Sequence, residues 1–299
     1  INEGATIVQK NSGTTGGNSV FAAVGGKGVI NIKGGTITSD KFGVHTMTTG
    51  TPVINISGGT ITAPVALKSS TNGGNGELAT INVTGGTING TLETYTENGK
   101  IVVSGGTFSN AVEEKYCAEG YVPAQNADGT YGVEHNPAYG KVAQVGNEYY
   151  ATLQAAFDAV KDGETITLID NVTVSVATAA YNDGTYIDGV RYTGDKSFTV
   201  DFNGKTVTDD GCVNDYLIYI NNKGEKASEI TFTNGTIVSK NGCWSAVCVN
   251  SSAATQNVVL NLNGMNITNS NDAEYSGNPV VRVRNLATVN VNDKTVITS

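Results

Sequence analysis

The stretch Ile54-Asn55-Ile56-Ser57-Gly58-Gly59-Thr60-Ile61 alternates apolar and polar residues, breaks at two glycines, and resumes on a threonine and an isoleucine. A period of two is the mark of a strand with one face on a core. The glycine pair marks a bend between two such strands. In the first half of the chain the same pattern is anchored at Gly34, Gly58, Gly85 and Gly105, separated by 24, 27 and 20 residues. Two positions beyond each anchor stands Thr36, Thr60, Thr87 or Thr107, followed by Ile37, Ile61, Ile88 or Phe108.

The second half repeats the arrangement with anchors Gly204, Asn234, Gly264 and Asp293, 30, 30 and 29 residues apart. Val200-Asp201-Phe202-Asn203, Ile230-Thr231-Phe232-Thr233, Leu260-Asn261-Leu262-Asn263 and Val289-Asn290-Val291-Asn292 lead into them. Thr206, Thr236, Asn266 and Thr295 take the second position after the anchor; Val207, Ile237, Ile267 and Val296 take the third. A repeat of this length built from period-two alternation predicts a solenoid, because one unit cannot bury its apolar face alone and stacking neighbours can. Ile54, Ile56 and Ile61 are expected to point inward, with Asn55, Ser57, Thr60 and Thr62 outward. Equivalent residues then form ladders about 4.8 Å apart.

Composition agrees. Glycine is abundant at 38 residues and proline scarce at 5, and the strings of Thr, Asn, Val and Ile suit short strands and tight turns. The formal charge of −9 excludes nucleic acid as a partner, since phosphates require clustered Lys and Arg. No run approaches the ~18 apolar residues of a membrane span. The opening Ile1-Asn2-Glu3-Gly4 carries no signal peptide, and the chain stops in mid-pattern at Thr298-Ser299. Both ends are therefore expected to be truncations of a longer protein that continues into further repeats.

A second strand per repeat is visible, because Leu217-Ile218-Tyr219-Ile220-Asn221 precedes Ala246-Val247-Cys248-Val249-Asn250 by about one repeat. Asn221 and Asn250 should stack, and this resembles the internal asparagine ladder of right-handed parallel β-helices of the pectate-lyase-like type. The run Thr152-Leu153-Gln154-Ala155-Ala156-Phe157-Asp158-Ala159-Val160 places apolar residues at helical spacing. It resembles the helix that caps the first coil of such domains, where an open coil would expose unpaired strand edges. Between the two halves, Ala118-Glu119-Gly120-Tyr121 and Asn126-Ala127-Asp128-Gly129-Thr130-Tyr131 read as a hairpin with an Asp-Gly turn. The order of these motifs is similar to that in large surface proteins of gut Firmicutes.

The expected architecture is all-β. It comprises a β-helical segment over 1–112, a hairpin linker over 113–148, and a second β-helical segment over 149–299 with a capping α-helix near 150–161. The resemblance implies an extracellular or cell wall-attached bacterial protein with a structural, adhesive or glycan-contacting role and no catalysis, its partner an extracellular glycan or host surface. The alternative is a polysaccharide lyase or glycoside hydrolase.

Such a lyase needs clustered carboxylates for calcium and an Arg or Lys base. The expected outward ladders are Asp201, Thr231, Asn261, Asn290 and Asn203, Thr233, Asn263, Asn292, with one carboxylate between them. Asp209, Asp210 and Asp215 lie close in sequence without obvious partners. Arg282 and Arg284 share a strand face whose aligned neighbours are Tyr219 and Cys248. Nothing marks Asp183 with Asp188, or Asp209 with Asp215, as the carboxylate pair of a glycosidase. His45 and His135 fall in different modules and are expected to be solvent-facing or incidental. No catalytic residue, metal site or cofactor is therefore assigned.

The largest departure from the repeat, residues 177–197, reads as an extruded hairpin turned at Asp183-Gly184, and long excursions gather binding residues. Asp183, Tyr186, Asp188, Arg191 and Tyr192 are the candidate ligand contacts. Cys212 and Cys243 follow their anchors by eight and nine residues. They could meet on adjacent coils within the ~4.4–6.8 Å Cα separation of a disulfide, or stay as buried thiols. Cys248 should face outward, and Trp244 should cover a coil edge rather than stack on a sugar. The outward Thr and Asn ladders suit solvent-facing strands and turns, with an array that binds glycans or ice as the competing reading.

Overall fold

The computed structural model describes residues 1–9, 18–21, 27–48, 51–71, 79–94, 99–175, 181–182, 187–210, 216–240, 243–253, 255–270, 277–292 and 294–299. It is 63% β-strand with one α-helix among the described residues, so the chain is all-β, in open sheets. It divides into two compact units, Ile1–Tyr139 and Gly140–Ser299.

The first unit contains β1 (Thr6–Gln9), β2 (Asn18–Phe21), β3 (Val29–Ser39), β4 (Phe42–Thr48) and β5 (Val53–Thr71). It continues with β6 (Ala79–Thr94), β7 (Gly99–Phe108), β8 (Tyr121–Gln125) and β9 (Tyr131–His135). β1, β3, β5, β6 and β7 run parallel in that order. The anchors stack as the repeat requires: Thr36, Thr60, Thr87 and Thr107 are in register, and so are Ile37, Ile61, Ile88 and Phe108. Ile54, Ile56 and Ile61 are buried, whereas Ser57 and Thr62 are exposed and Asn55 and Thr60 half-buried. A further copy escapes the sequence reading. Thr6 and Ile7 pair with Thr36 and Ile37, so Gly4-Ala5-Thr6-Ile7 is a further copy stacked on the Gly34 repeat.

A second row runs through β2, β4 and the C-terminal parts of β5 and β6, where His45 opposes Lys68 and Lys68 opposes Glu93. β9 then pairs antiparallel with β7 at Tyr131 and Phe108, and β8 with β9. The Ala118 N–H donates to the Val103 carbonyl, and Val112 and Tyr116 join the core of this unit. Residues 113–139 of the expected linker are thus packed in the first unit, and 140–148 belong to the second.

The second unit opens with an antiparallel hairpin, β10 (Ala143–Val145) and β11 (Glu148–Tyr150), followed by α1 (Leu153–Ala159). Thr152 caps the helix, its hydroxyl accepting from the Ala155 N–H at 3.1 Å. Leu153, Ala156 and Phe157 are turned into the core, the face their spacing predicts. Next come β12 (Thr165–Leu168), β13 (Val172–Val174), β14 (Tyr181–Asn182), β15 (Ile187–Asp188), β16 (Val190–Thr193) and β17 (Phe198–Asp201). β18 (Thr206–Asp209), β19 (Tyr216–Asn222), β20 (Ser228–Ser239), β21 (Ser245–Ser251) and β22 (Val258–Asn269) follow. β23 (Val281–Asn285), β24 (Ala287–Asn292) and β25 (Val296–Thr298) complete it. One sheet stacks β12, β17, β20, β22 and β24 in parallel, with β10 antiparallel on β12; the other is parallel in the order β16, β19, β21, β23. β14 and β15 pair antiparallel, as expected for strands flanking Asp183-Gly184.

Two expected registers are corrected. Asp201 opposes Thr233, and Thr199 opposes Thr231, so β17 is displaced by two residues from the expected pairing. On β17 the outward ladders therefore carry Thr199 and Asp201, not Asp201 and Asn203, and they continue to Thr165 and Thr167 of β12. The excess is absorbed at the turn, where Asn203 and Gly204 both adopt positive φ of 48° and 73°. A shift of two keeps every apolar residue on the same face, so Val200 and Phe202 remain fully buried. At the last repeat, Val296 rather than Thr295 opposes Asn266, and Ile297 rather than Val296 opposes Ile267. The Thr295 hydroxyl instead accepts from the Met265 N–H and donates to the Leu262 carbonyl.

Candidate functional site

The sheet of β16, β19, β21 and β23 has one face on the core, through Ile218, Ile220, Val247 and Val249. The residues between them point the other way. In-register pairing aligns Arg191, Tyr219, Cys248 and Arg282 across the four strands, and Thr193, Asn221, Asn250 and Arg284 beside them. The chain contains three arginines, at 191, 282 and 284, and all three stand on this face. Its one tryptophan, Trp244, immediately precedes β21 and meets the Tyr216 ring edge-on at 6.2 Å.

Aromatic packing fixes the cationic groups. Tyr216 and Tyr219 stack at 5.3 Å with 21° between their planes, and the Arg191 guanidinium lies 5.3 Å from the Tyr219 centroid. Arg284 donates from Nη1 to the Tyr216 hydroxyl at 3.4 Å, and Arg282 donates from Nε to Ser245 Oγ at 3.4 Å. Proximity to the Tyr216 oxygen raises the Arg284 pKa further above its ordinary value, so it stays cationic at every accessible pH. Cys248 faces outward as expected, yet Tyr216, Tyr219 and Trp244 pack with it and it is fully buried.

Amides form the floor. Asn250 Nδ2 reaches Asn221 Oδ1 at 3.2 Å and the Tyr219 hydroxyl at 3.0 Å, and Asn285 Nδ2 donates to Asn250 Oδ1 at 2.7 Å. The expected stacking of Asn221 and Asn250 thus continues to Asn285, which reaches it from a left-handed φ of 54°.

Of the expected ligand contacts, Asp183 and Tyr186 lie outside the described residues. Asp188 is the last residue of β15, and its side chain is likewise outside the description. Arg191 belongs to the cationic face. Its neighbour Tyr192 does not: its ring is in the core, and its hydroxyl accepts the Lys196 N–H at 2.7 Å. Burial is the main cause of the raised Tyr192 pKa, against the opposing effect of that N–H. Tyr216, Tyr219, Trp244, Arg282 and Arg284 complete the face, and arginine scarcity is the sequence signal that connects them.

Carboxylates do not gather here. Asp209 is buried on the core side of β18 with Val207, where its Oδ2 accepts the Lys240 N–H at 2.9 Å and lies 4.0 Å from Cys243 Sγ. Asp210 is exposed, and Asp215 lies outside the described residues, as does Cys212 and with it the expected Cys212–Cys243 pairing. Among the described residues no three His, Cys, Asp or Glu side chains converge as metal ligands.

A cleft of about 250 Å³ in the first unit is lined by Lys100, Lys115, Cys117 and a single carboxylate, Glu119. His45 is buried, contrary to expectation, with its ring 5.1 Å from that of Phe42. Desolvation, aided by Lys68 and opposed by Glu93, lowers its pKa to about 4. His135 is exposed and packs 5.6 Å from Tyr121.

The chain matches no family model, no curated protein and no solved structure. Among the described residues no helix is long and apolar enough to cross a membrane, a statement that does not extend to β-barrels.

Proposed function

We propose that this chain is part of a secreted or wall-attached bacterial surface protein built from right-handed β-helical repeats, whose role is adhesive, non-catalytic contact with glycans. The repeat reading is supported by parallel pairing of successive copies, Thr36 with Thr60 and Thr236 with Asn266 among them. The observation that carries the binding reading is the outer face of the β16–β23 sheet, where guanidinium groups and aromatic rings are held side by side. Sugars present apolar ring faces beside hydroxyls, and a mixed aromatic and polar surface meets both. Asp209 faces the core while Arg191 stands on the face away from it, and this speaks for binding over a lyase reaction.

The test is an array of host and plant polysaccharides probed with the whole chain, with released reducing ends and unsaturated products measured in parallel. Retention on one or more glycans without either product is expected. Absence of binding to every glycan removes the adhesive reading, and release of either product replaces it with the enzymatic one.

A further inference from the structure

The arginine face has a chemistry narrower than glycan contact. We infer that it recognises the carboxylate of an acidic sugar, without a metal ion; the sugar component rests on the function proposed above, the acid component on the arginines themselves.

Three observations point there. The first is concentration. In a chain of formal charge −9, every arginine stands on one face of one four-stranded sheet, while all fifteen lysines lie elsewhere in the sequence. Arginine differs from lysine in its planar fork of five N–H donors, which matches a carboxylate with two parallel bonds.

The second is geometry. Arg282 and Arg284 alternate on β23, so both leave the same side of the strand about 6.6–6.8 Å apart along it. Among the described residues each is steadied by one neutral acceptor, Ser245 Oγ or the Tyr216 hydroxyl, which leaves further N–H groups on each fork. Among the described residues, neither is within ion-pair distance of a carboxylate. Arg284 is exposed and Arg282 half-buried, so both reach solvent.

The third is the ring surface. Half-buried Trp244 stands against Tyr216, whose hydroxyl holds Arg284, so an apolar plane adjoins the charged forks. A pyranose carrying a carboxylate combines those two features in one residue.

Two sources of such a residue are separable: uronic acids within a polymer and sialic acids at a chain end. The experiment is titration calorimetry of the whole chain with polygalacturonate, with a sialylated oligosaccharide, and with the carboxyl-reduced, neutral counterpart of each. EDTA is present throughout this first series. At least one acidic probe is expected to bind ten-fold or more tightly than its neutral counterpart, and which one does so identifies the source.

The double variant Arg282→Gln/Arg284→Gln is expected to bring the acidic form to within two-fold of the neutral one. Arg284→Lys keeps the charge and should still lose most of the preference, because an ammonium cannot form the fork. Arg284→Gln alone changes an exposed position and serves if the double variant melts early.

Equal binding of acidic and neutral forms overturns the carboxylate inference and leaves glycan contact standing. A preference unchanged in the variants overturns the placement at this face. The acidic titrations are repeated without EDTA, and a preference seen only in its absence overturns the metal-free mode. No binding to any probe overturns the inference, and the polysaccharide array then decides separately on glycan contact.

Discussion

Gly58 and Gly59 sit side by side under different constraints. A Cβ on Gly58 would come within 2.5 Å of the Lys33 carbonyl oxygen of the preceding repeat, so that position is closed by its neighbour's backbone. Gly59 adds to such a contact, its Cβ falling 2.8 Å from the Gly34 and Gly35 carbonyl oxygens, a φ of 86°, the left-handed region in which L side chains are strained. Gly58→Ala forces two backbones apart, and Gly59→Ala does so as well as costing about 1–2 kcal/mol in backbone strain; both are expected to destabilise, and urea unfolding measures both. Such local reasons are legible in the text of the repeat.

His45 is a residue whose state was not. Its folded pKa of about 4 lies below the ordinary 6.5, so the unfolded chain binds the proton more readily. The penalty is absent above pH 6.5, grows as pH falls towards 4, and is constant below that. The first unit should therefore lose on the order of 2 kcal/mol across this window through His45. His45→Gln should flatten that part of the pH dependence of unfolding. An identical slope in the variant would show that His45 is equally protonated in both states. Sequence alone left this histidine solvent-facing or incidental because burial of a polar side chain depends on neighbours far away in the chain.

At the scale of the element, α1 does more than cover the core. The Gln154 side chain accepts the Arg191 N–H at Oε1 (2.7 Å) and donates to the Arg191 carbonyl from Nε2 (2.8 Å). A side-chain amide thus takes the place of a neighbouring strand on β16, where unpaired groups would otherwise invite another chain. Gln154→Ala should destabilise the second unit by about 1–3 kcal/mol and increase self-association, read by thermal melting and light scattering. Unchanged association would mean that other groups protect this edge. The helix was visible from Leu153, Ala156, Phe157 and Val160, but the partner of Gln154 lies 37 residues away and leaves no trace in that spacing.

The β17 register shows a related limit. Alternation defines a face, and a displacement of two residues preserves the face, so the pattern around Val200 and Phe202 reads equally well in either pairing. Only the neighbouring strand and the turn at Asn203 and Gly204 select the observed one.

At the scale of the whole molecule, each unit has its own core: Ile32 to Tyr116 in the first, and Ala143 to Val280 in the second. A fragment of residues 140–299 should fold alone with a cooperative melt. If stability propagates from repeat to repeat, excising 228–257, one repeat by the pairing of Ser228 with Val258, should leave a folded chain. Excising half of that segment should not, since it breaks the stack in mid-repeat. Circular dichroism and melting of the two deletions distinguish the outcomes; equal damage by both would contradict a repeat-by-repeat stack.

The sequence by itself determined the strands, the inward and outward residues, the bends and the interval of the repeat. Those properties follow from side-chain alternation and from the few residues that tolerate a tight turn. Tertiary structure decided which residues meet across repeats, because parallel pairing joins positions 20 to 35 residues apart. It is that pairing which brings Arg191, Tyr219, Cys248 and Arg282 into one row and makes a single face from the only three arginines in the chain.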